Sequence, residues 1–368
     1  MESLELQGTY DTLVIGAGQA GLASGYHLQK TPLKFLIVEA SEQSAGSWPS
    51  YYDSLKLFSP ARYSSLPGRP FPGDPSSYPV RDEVIEYLTS YAQHFQLPVV
   101  TGERVVKLEQ DAYGFSVSTQ TGKLYRAHSV IVATGSFHYP NLPQLPGQTT
   151  YQGQILHSAH YRNPQAFKDQ RVLVVGSRNS AVQVAYELAQ VAHTTLTSLT
   201  PVKYKPQLVL GKDVHFWMRV SGLDTFPFGY WNKTIEARGV LDYNQTYRKA
   251  LAEGKPEWRP LFKEFSSSGV IWTDGQEEAV DSVIFATGYQ PSPDFLQNSA
   301  ALDAQGRPIQ KLGISLSVPG LYYVGLAGQR SFSSATLRGV GPDAAYIVRQ
   351  IQNFLKDQAR IGQIALSV

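Results

Sequence analysis

Three glycines and an acid carry the first chemistry in this sequence. Gly16, Gly18 and Gly21 stand as G-x-G-x-x-G within TLVIGAGQAG (12–21), and Glu39 follows eighteen residues after the last of them. The spacing suits a dinucleotide. Gly16 makes a tight turn, Gly18 lets backbone approach a pyrophosphate, Gly21 lets helix and strand pack closely, and Glu39 accepts hydrogen bonds from a ribose. A 2′-phosphate beside Glu39 is disfavoured, because two anions would collide. The pattern returns at an offset of 160 in RVLVVGSRNSAVQVAYELA (171–189): Gly176 matches Gly16, Arg178 stands for Gly18, Ala181 for Gly21 and Leu199 for Glu39. Gly176, Ser177, Arg178, Asn179 and Ser180, with Leu199 and Thr200, are therefore candidates for a second nucleotide. Arg178 is a departure that leaves open a unit which kept the fold and lost its ligand. A third signal is YQGQILHSAHY (151–161), with His157 and His160 three apart. A metal site would need further ligands, and the sequence holds neither HExxH nor a cysteine to supply them.

These residues need elements to place them. TLVI reads as a strand, LASGYHLQK as a helix and KFLIVEA as the next strand, with Glu39 and Ala40 at its end; Gln19 and Ala20 then open the helix whose free N–H groups meet phosphate. SVIVATG (129–135) and SVIFATG (282–288) are two buried-type strands ending in Ala-Thr-Gly, one for each nucleotide fold. Small residues there let the chain turn sharply beneath a cofactor or cross between domains, which brings in Ala133, Thr134 and Gly135, and Thr287, Gly288 and Tyr289. GLYYVG ends a strand at Gly325, and SATL opens a helix at Thr336 and Leu337. Val84, Tyr87, Leu88, Tyr91 and Phe95 recur at helical spacing, as do Ile347, Val348, Ile351, Phe354 and Leu355; both sets read as core. The expected fold is α/β, with two Rossmann-like, doubly wound domains. Residues 1–152 and 287–368 form the first, and 153–286 are inserted in it as the second.

Composition narrows the function. At 368 residues the chain is long enough for two cores. A net charge of +2 without a basic run argues against nucleic acid or an anionic membrane as partner. No apolar stretch is long enough to span a bilayer, and the acidic N-terminus lacks a signal peptide's order. The lack of cysteine removes disulfide and thiolate chemistry and is compatible with a cytoplasmic location.

The order G-x-G-x-x-G, Glu, ATG, second glycine turn, FATGY and GLYYVG resembles the two-dinucleotide flavoproteins. Within them the chain is similar to the class B flavin-containing monooxygenases, in particular small bacterial ones related to plant indolepyruvate-type enzymes. Their linker fingerprint is matched by Tyr151, Gly153, His157 and Tyr161. The likeness spans nearly the whole chain, apart from a loosely matched stretch over 203–264, which could roof a pocket, form a dimer contact or complete a satellite core. The resemblance implies FAD in the first domain and NADPH and/or NADH in the second. It adds Ser47 and Trp48, from AGSW (45–48), beside the flavin ring, and implies that Thr336 and Leu337 meet the flavin's pyrimidine edge. It implies that His157 fixes the geometry between the cofactors; a histidine merely hydrogen-bonded within the linker is the other reading. In the implied reaction NAD(P)H reduces the flavin, and O2 forms a C4a-(hydro)peroxide that oxygenates a small S/N nucleophile or a ketone. A homodimer is the family's expectation.

Two positions depart from the pattern. Leu199 stands where a basic residue usually meets the 2′-phosphate, so relaxed coenzyme choice is expected unless Lys203, Lys205 or Arg178 compensates. Phe58, in SLKLFSPARYSSLPG (54–68), stands where many relatives carry Asn near the reactive flavin edge. Phe58 either shortens the life of the oxygen adduct or packs beneath the ring. Two rival functions follow: an uncoupled NAD(P)H oxidase or flavin reductase, and a non-enzymatic FAD-binding redox module.

Overall fold

The computed structural model describes residues 5–365, apart from 136, 138, 232–238, 291–293 and 298. Residues 232–238, part of the loosely matched stretch, thus lie outside the described residues. Six α-helices are described: α1 (Gln19–Leu28), α2 (Arg81–His94), α3 (Asn179–Leu188), α4 (Val214–Val220), α5 (Thr246–Ala252) and α6 (Leu337–Ala365).

Two sheets organise the chain. In the larger, Leu321–Tyr323, Lys123–Val132, Glu5–Ile15, Phe35–Val38 and Val99–Val100 run parallel in that order. The smaller sheet is parallel throughout, in the order Glu257–Pro260, His193–Ser198, Arg171–Val175, Ser282–Phe285, Gln154–His157. Parallel strands must be covered on both faces, and their sequences show it: LVI, FLIV, VLVV and SVIF are continuous apolar runs rather than alternating ones. One face of the large sheet packs Val14, Ile37 and Ile131 under α1, α2 and α6, where Tyr87, Tyr91, Ile347 and Ile351 are buried. The other face packs Leu13, Val38 and Val130 against the antiparallel hairpins of 105–127. The smaller sheet has two cores likewise, one beneath α3 around Val174, Leu188 and Ile284, and one around Phe262, Phe265 and Trp272. The large sheet uses residues 5–132 and 310–323 and the small one 154–285, so a single excursion of the chain builds the second unit.

The stretch 203–264 resolves into several fates. Glu257–Pro260 joins the small sheet as an edge, and Trp258 packs on its core. Tyr204–Pro206 pairs with Val240–Asp242, Leu208–Val209 with Lys212–Asp213, and α4 follows the latter hairpin directly.

One core histidine gives this fold a pH signature. His27, at the end of α1, is pushed down from 6.5 to about 4, first by burial and then by the nearby charges of Lys30 and Arg349. The folded state thus binds its proton less readily than the unfolded chain. The stability this supplies is complete above pH 6.5 and is lost as pH falls towards 4. At pH 5 the loss is about 1–2 kcal/mol, allowing for the ring's partial exposure. In urea unfolding at pH 7 and pH 5, His27→Leu is expected to flatten the difference seen in the parent; equal pH dependence in both proteins would refute this.

Candidate cofactor and substrate site

The first phosphate cradle is built by backbone alone. A Cβ on Gly21 would lie 1.8 Å from the carbonyl oxygen of Gly16, and one on Gly16, at φ +103°, 2.8 Å from that of Ala133. The first glycine turn is therefore pressed between its own helix and the end of strand Lys123–Val132. Gly18 caps α1 without a side-chain hydrogen bond, so the helix's first N–H groups stay available. Glu39 is 5% exposed, yet reaches the same space: Oε2 accepts from the Ala17 N–H at 2.5 Å and Oε1 from the Ser41 N–H at 2.9 Å and hydroxyl at 2.8 Å. Its carboxylate is thus fixed beside the turn.

A cavity of 540 Å³ opens from this cradle. Every residue assigned above to FAD lines it except Gly21, which lies behind the turn it shapes. Gln19 joins three walls: its Nε2 donates to the Ala335 carbonyl, and its Oε1 accepts from Trp48 Nε1 at 3.2 Å. Thr336 and Leu337 close the far end at the start of α6. A free helix N-terminus, an oriented acid and a glycine cradle of this kind fit a dinucleotide, and FAD in particular would be held by Gly18, Gln19, Glu39 and Thr336.

Arg178, Asn179 and Ser180, from the N-terminus of α3 in the other unit, line the same cavity, as does Tyr289, which follows the small sheet's strand Ser282–Phe285. The rest of the second set does not. Gly176 lies behind its turn, where a Cβ would meet the Ala286 carbonyl oxygen at 2.6 Å. Thr287 Oγ1 donates to the Asn141 carbonyl at 2.5 Å, and the Asn141 N–H to the Gly288 carbonyl at 2.9 Å, so these residues tie the crossing between the units. Leu199 is 85% exposed, outside the cavity, with Thr200 beside it and Ser177 back at the turn.

The YQGQILHSAHY segment is an edge strand and the turn after it. Gln154–His157 runs alongside Ser282–Phe285, and the His160 N–H donates to the His157 carbonyl at 2.8 Å. Tyr151 donates to the Val280 carbonyl at 2.9 Å and Tyr161 to Glu187 Oε2 at 2.8 Å. His157 is fully buried and does not line the cavity; its Nδ1 accepts from the Ala159 N–H at 3.1 Å, and burial holds its pKa below the usual histidine range. Its ring lies edge-on to Tyr289 at 4.9 Å, and Tyr289, Phe137, Tyr51 and Trp48 continue in edge-to-face steps of 5.4, 6.3 and 5.5 Å. His157 thus touches the cavity wall through the Tyr289 ring and through its chain neighbour Ser158, both of which line the cavity. Among the described residues no group of three or more His, Cys, Asp or Glu is placed to hold a metal ion.

Phe58 lines the cavity, 40% exposed. Sequence reasoning did not name Tyr51, Tyr52, Gly46 or Gln183, which line it too. Tyr52 donates to Gln183 Oε1, joining the 51–58 segment to α3. Gly46 had a readable signal, since it lies within AGSW; at φ +56° its Cβ would fall 2.8 Å from Gly18 Cα. Tyr52 and Gln183 meet across 131 residues of sequence, and no local pattern marks them.

Two nucleotide-type βαβ units facing one cavity define a two-dinucleotide-domain flavoprotein. The family model of pyridine nucleotide-disulphide oxidoreductases matches residues 13–210. A flavin-containing monooxygenase from Stenotrophomonas maltophilia superposes with a TM-score of 0.83 at 32% identity, covering 95% of this chain and 100% of that one. An uncharacterized CzcO-like oxidoreductase of Geobacillus kaustophilus is 35% identical over 95% of this chain and 100% of its own length. The probable indole-3-pyruvate monooxygenase YUCCA1 of Arabidopsis thaliana is 30% identical over 95% of this chain and 91% of its own. The chain belongs to the pyridine nucleotide-disulphide oxidoreductase family and, within it, to the flavin-containing monooxygenases. It is an oxidoreductase that uses flavin and nicotinamide. No helix among the described residues is long and apolar enough to cross a membrane.

Proposed function

We propose that the protein is an FAD-dependent monooxygenase that takes its electrons from NADH or NADPH. One oxygen atom of O2 goes to a small sulfur or nitrogen nucleophile or to a ketone. The balance is NAD(P)H, a proton, O2 and substrate giving NAD(P)+, water and oxygenated substrate. The observation that carries this reading is the single cavity shared by the N-termini of α1 and α3, with Phe58 and Tyr289 in its wall. On this reading residues 1–152 and 287–368 hold FAD and 153–286 hold the nicotinamide coenzyme; the division of strands between the two sheets supports it.

Bound FAD supplies the electron-accepting and oxygen-activating chemistry. This chain's residues orient and exclude. The N-terminus of α1 binds the pyrophosphate, Glu39 accepts from the ribose, and Thr336 and Leu337 meet the flavin ring's polar edge. Arg178, Asn179 and Ser180 face the coenzyme phosphates. The rings of Trp48, Tyr51, Phe58 and Tyr289 keep the reacting region apolar, which favours oxygen transfer over loss to water.

Mixing the reduced, coenzyme-bound enzyme rapidly with O2 tests the reading. A transient absorbing species that decays faster when a sulfide or ketone is added supports oxygen transfer. Direct return to oxidised flavin with stoichiometric peroxide, under every condition, makes the protein an NAD(P)H oxidase, the second reading; Phe58 favours it, because a phenyl ring offers no hydrogen bond to an oxygen species.

Coenzyme choice follows from Leu199. An exposed leucine gives a 2′-phosphate no charge-assisted bond, a contact worth about 1.5–3 kcal/mol. The parent is expected to accept NADH, and Leu199→Arg to shift catalytic efficiency towards NADPH by about 10- to 100-fold. A parent that prefers NADPH a thousandfold would refute this.

A further inference from the structure

The stretch 203–220 holds a buried polar cluster that neither nucleotide unit requires. Asp213 caps α4: its Oδ1 accepts from the His215 N–H at 2.9 Å and lies 2.6 Å from His215 Nδ1. Its Oδ2 accepts from Gln207 Nε2 at 2.7 Å and from the Tyr78 hydroxyl. Four donors meet about four lone-pair sites, so the carboxylate is fully satisfied. Burial works to raise its pKa, but the bonds from His215, Tyr78 and Gln207 prevail and hold it below the usual carboxylate range.

The imidazole of His215, 3% exposed, is near-parallel to two rings, Phe58 at 6.1 Å and 23° and Tyr63 at 6.2 Å and 27°. The Gln207 amide that bonds Asp213 also donates to the Phe58 carbonyl at 3.0 Å. Phe58 is thus held twice, by its ring through His215 and by its backbone through Gln207, and both routes end on Asp213. Phe58 itself lines the cavity. A side chain that needed only to fill core would not require a carboxylate with four donors behind it.

We propose that His215 and Asp213 are positioning residues of the reaction: their grip fixes Phe58 in the cavity wall and so sets the share of coenzyme electrons that reaches substrate rather than leaving as peroxide. This rests on the function proposed above. Electrons that miss the substrate leave in a balanced reaction, NAD(P)H, a proton and O2 giving NAD(P)+ and H2O2. Tyr63 packs near-parallel to His215 and Tyr78 is the fourth donor, so Gln207, Asp213 and His215 of the loosely matched stretch have a role at the site without lining the cavity.

Two measurements test this. The first is a double-mutant cycle in the apoprotein, with Phe58→Ala, His215→Ala and the pair, read by urea unfolding. Non-additive losses are expected; additivity would show that the two rings do not act together and would overturn the proposal. The second uses the holoenzyme with NADH, O2 and methyl phenyl sulfide, measuring peroxide released per NADH consumed. His215→Ala is expected to raise this yield about twofold or more, to the level of Phe58→Ala, and His215→Phe, which keeps a flat ring beside Phe58, to bring it back. A merely structural histidine would lower stability and leave the yield unchanged, and that result also overturns the proposal. If the parent itself returns every electron pair as peroxide, the oxygen-transfer reading falls. The cycle then decides alone: non-additivity sustains the grip on Phe58, and additivity removes it.

Discussion

Gly21→Ala is expected to give a chain that folds but is purified without flavin. The added Cβ would lie 1.8 Å from the Gly16 carbonyl oxygen, closer than any non-bonded carbon approaches oxygen. Backbone, not a flexible side chain, is what it meets, so the turn itself must open. The turn cannot retreat freely, because Gly16 is already backed by Ala133 on the next strand. A displacement on the order of 1 Å in the groups that receive the pyrophosphate costs about 100-fold or more in function. We expect FAD affinity, titrated on the apoprotein by fluorescence quenching, to fall by at least about 100-fold, roughly 2.7 kcal/mol. The internal control is Ala181, which holds the equivalent place in the second unit and is fully buried without harm to the fold. Ala181→Gly should change FAD affinity little and cost about 1–2 kcal/mol in stability, from helix propensity and the loss of a buried methyl. Binding of FAD by Gly21→Ala within threefold of the parent would show that the turn has slack the geometry denies.

The legible part of this protein was whatever depends on residues close together in sequence. A glycine turn declares itself because its three glycines and the flanking strand and helix are contiguous, so Gly16, Gly18 and Glu39 could be placed before any coordinates. The second unit declared itself by repetition, since Gly176 and Leu199 sit at the same offset from their counterparts. The apolar stripes of α2 and α6 were equally plain, because one buried face imposes its period on the sequence. Across the units the sequence is silent. Nothing local marks Gln183 as the partner of Tyr52, or Asp213 as the partner of Tyr78 at a separation of 135 residues. Position also outran exposure: the sequence puts Leu199 at the end of the strand TTLTSLT, whereas the strand stops at Ser198 and Leu199 is turned to solvent outside the cavity. The stretch 203–231 was hardest, since its order comes from scattered polar pairings rather than from a periodic apolar face.

One of those pairings sustains the second large effect. Asp224→Ala is expected to destabilise the protein by about 3–5 kcal/mol, the cost of leaving a buried charge without its partner. Arg338 and Asp224 are about nine-tenths buried, and the guanidinium meets both carboxylate oxygens, with Nε at 2.9 and 3.1 Å and Nη2 at 2.9 Å. Arg338 lies in the first turn of α6, where the helix dipole already disfavours a cation. Among the described residues its Nη1 has no hydrogen-bond partner, so Asp224 carries the compensation there. The same residue binds by its backbone too: its carbonyl accepts from the Ser333 N–H at 3.1 Å and hydroxyl at 2.8 Å. The segment around Asp224 therefore holds the 333–338 loop, whose Thr336 and Leu337 line the cavity. Loss of the pair should loosen that loop, so faster release of FAD on dilution is expected alongside the lower unfolding midpoint. Pairing Asp224→Ala with Arg338→Met removes the stranded charge and should recover most of the stability, because an apolar pair of similar volume is often as good as a buried ion pair. Recovery of stability without recovery of FAD retention would separate the two effects: the charge would account for the fold, and the directed Arg338–Asp224 fork for the shape of the flavin loop. Should the double variant stay as unstable as Asp224→Ala, the ion pair is not the source of the loss, and the Ser333 contacts to the Asp224 backbone become the place to look.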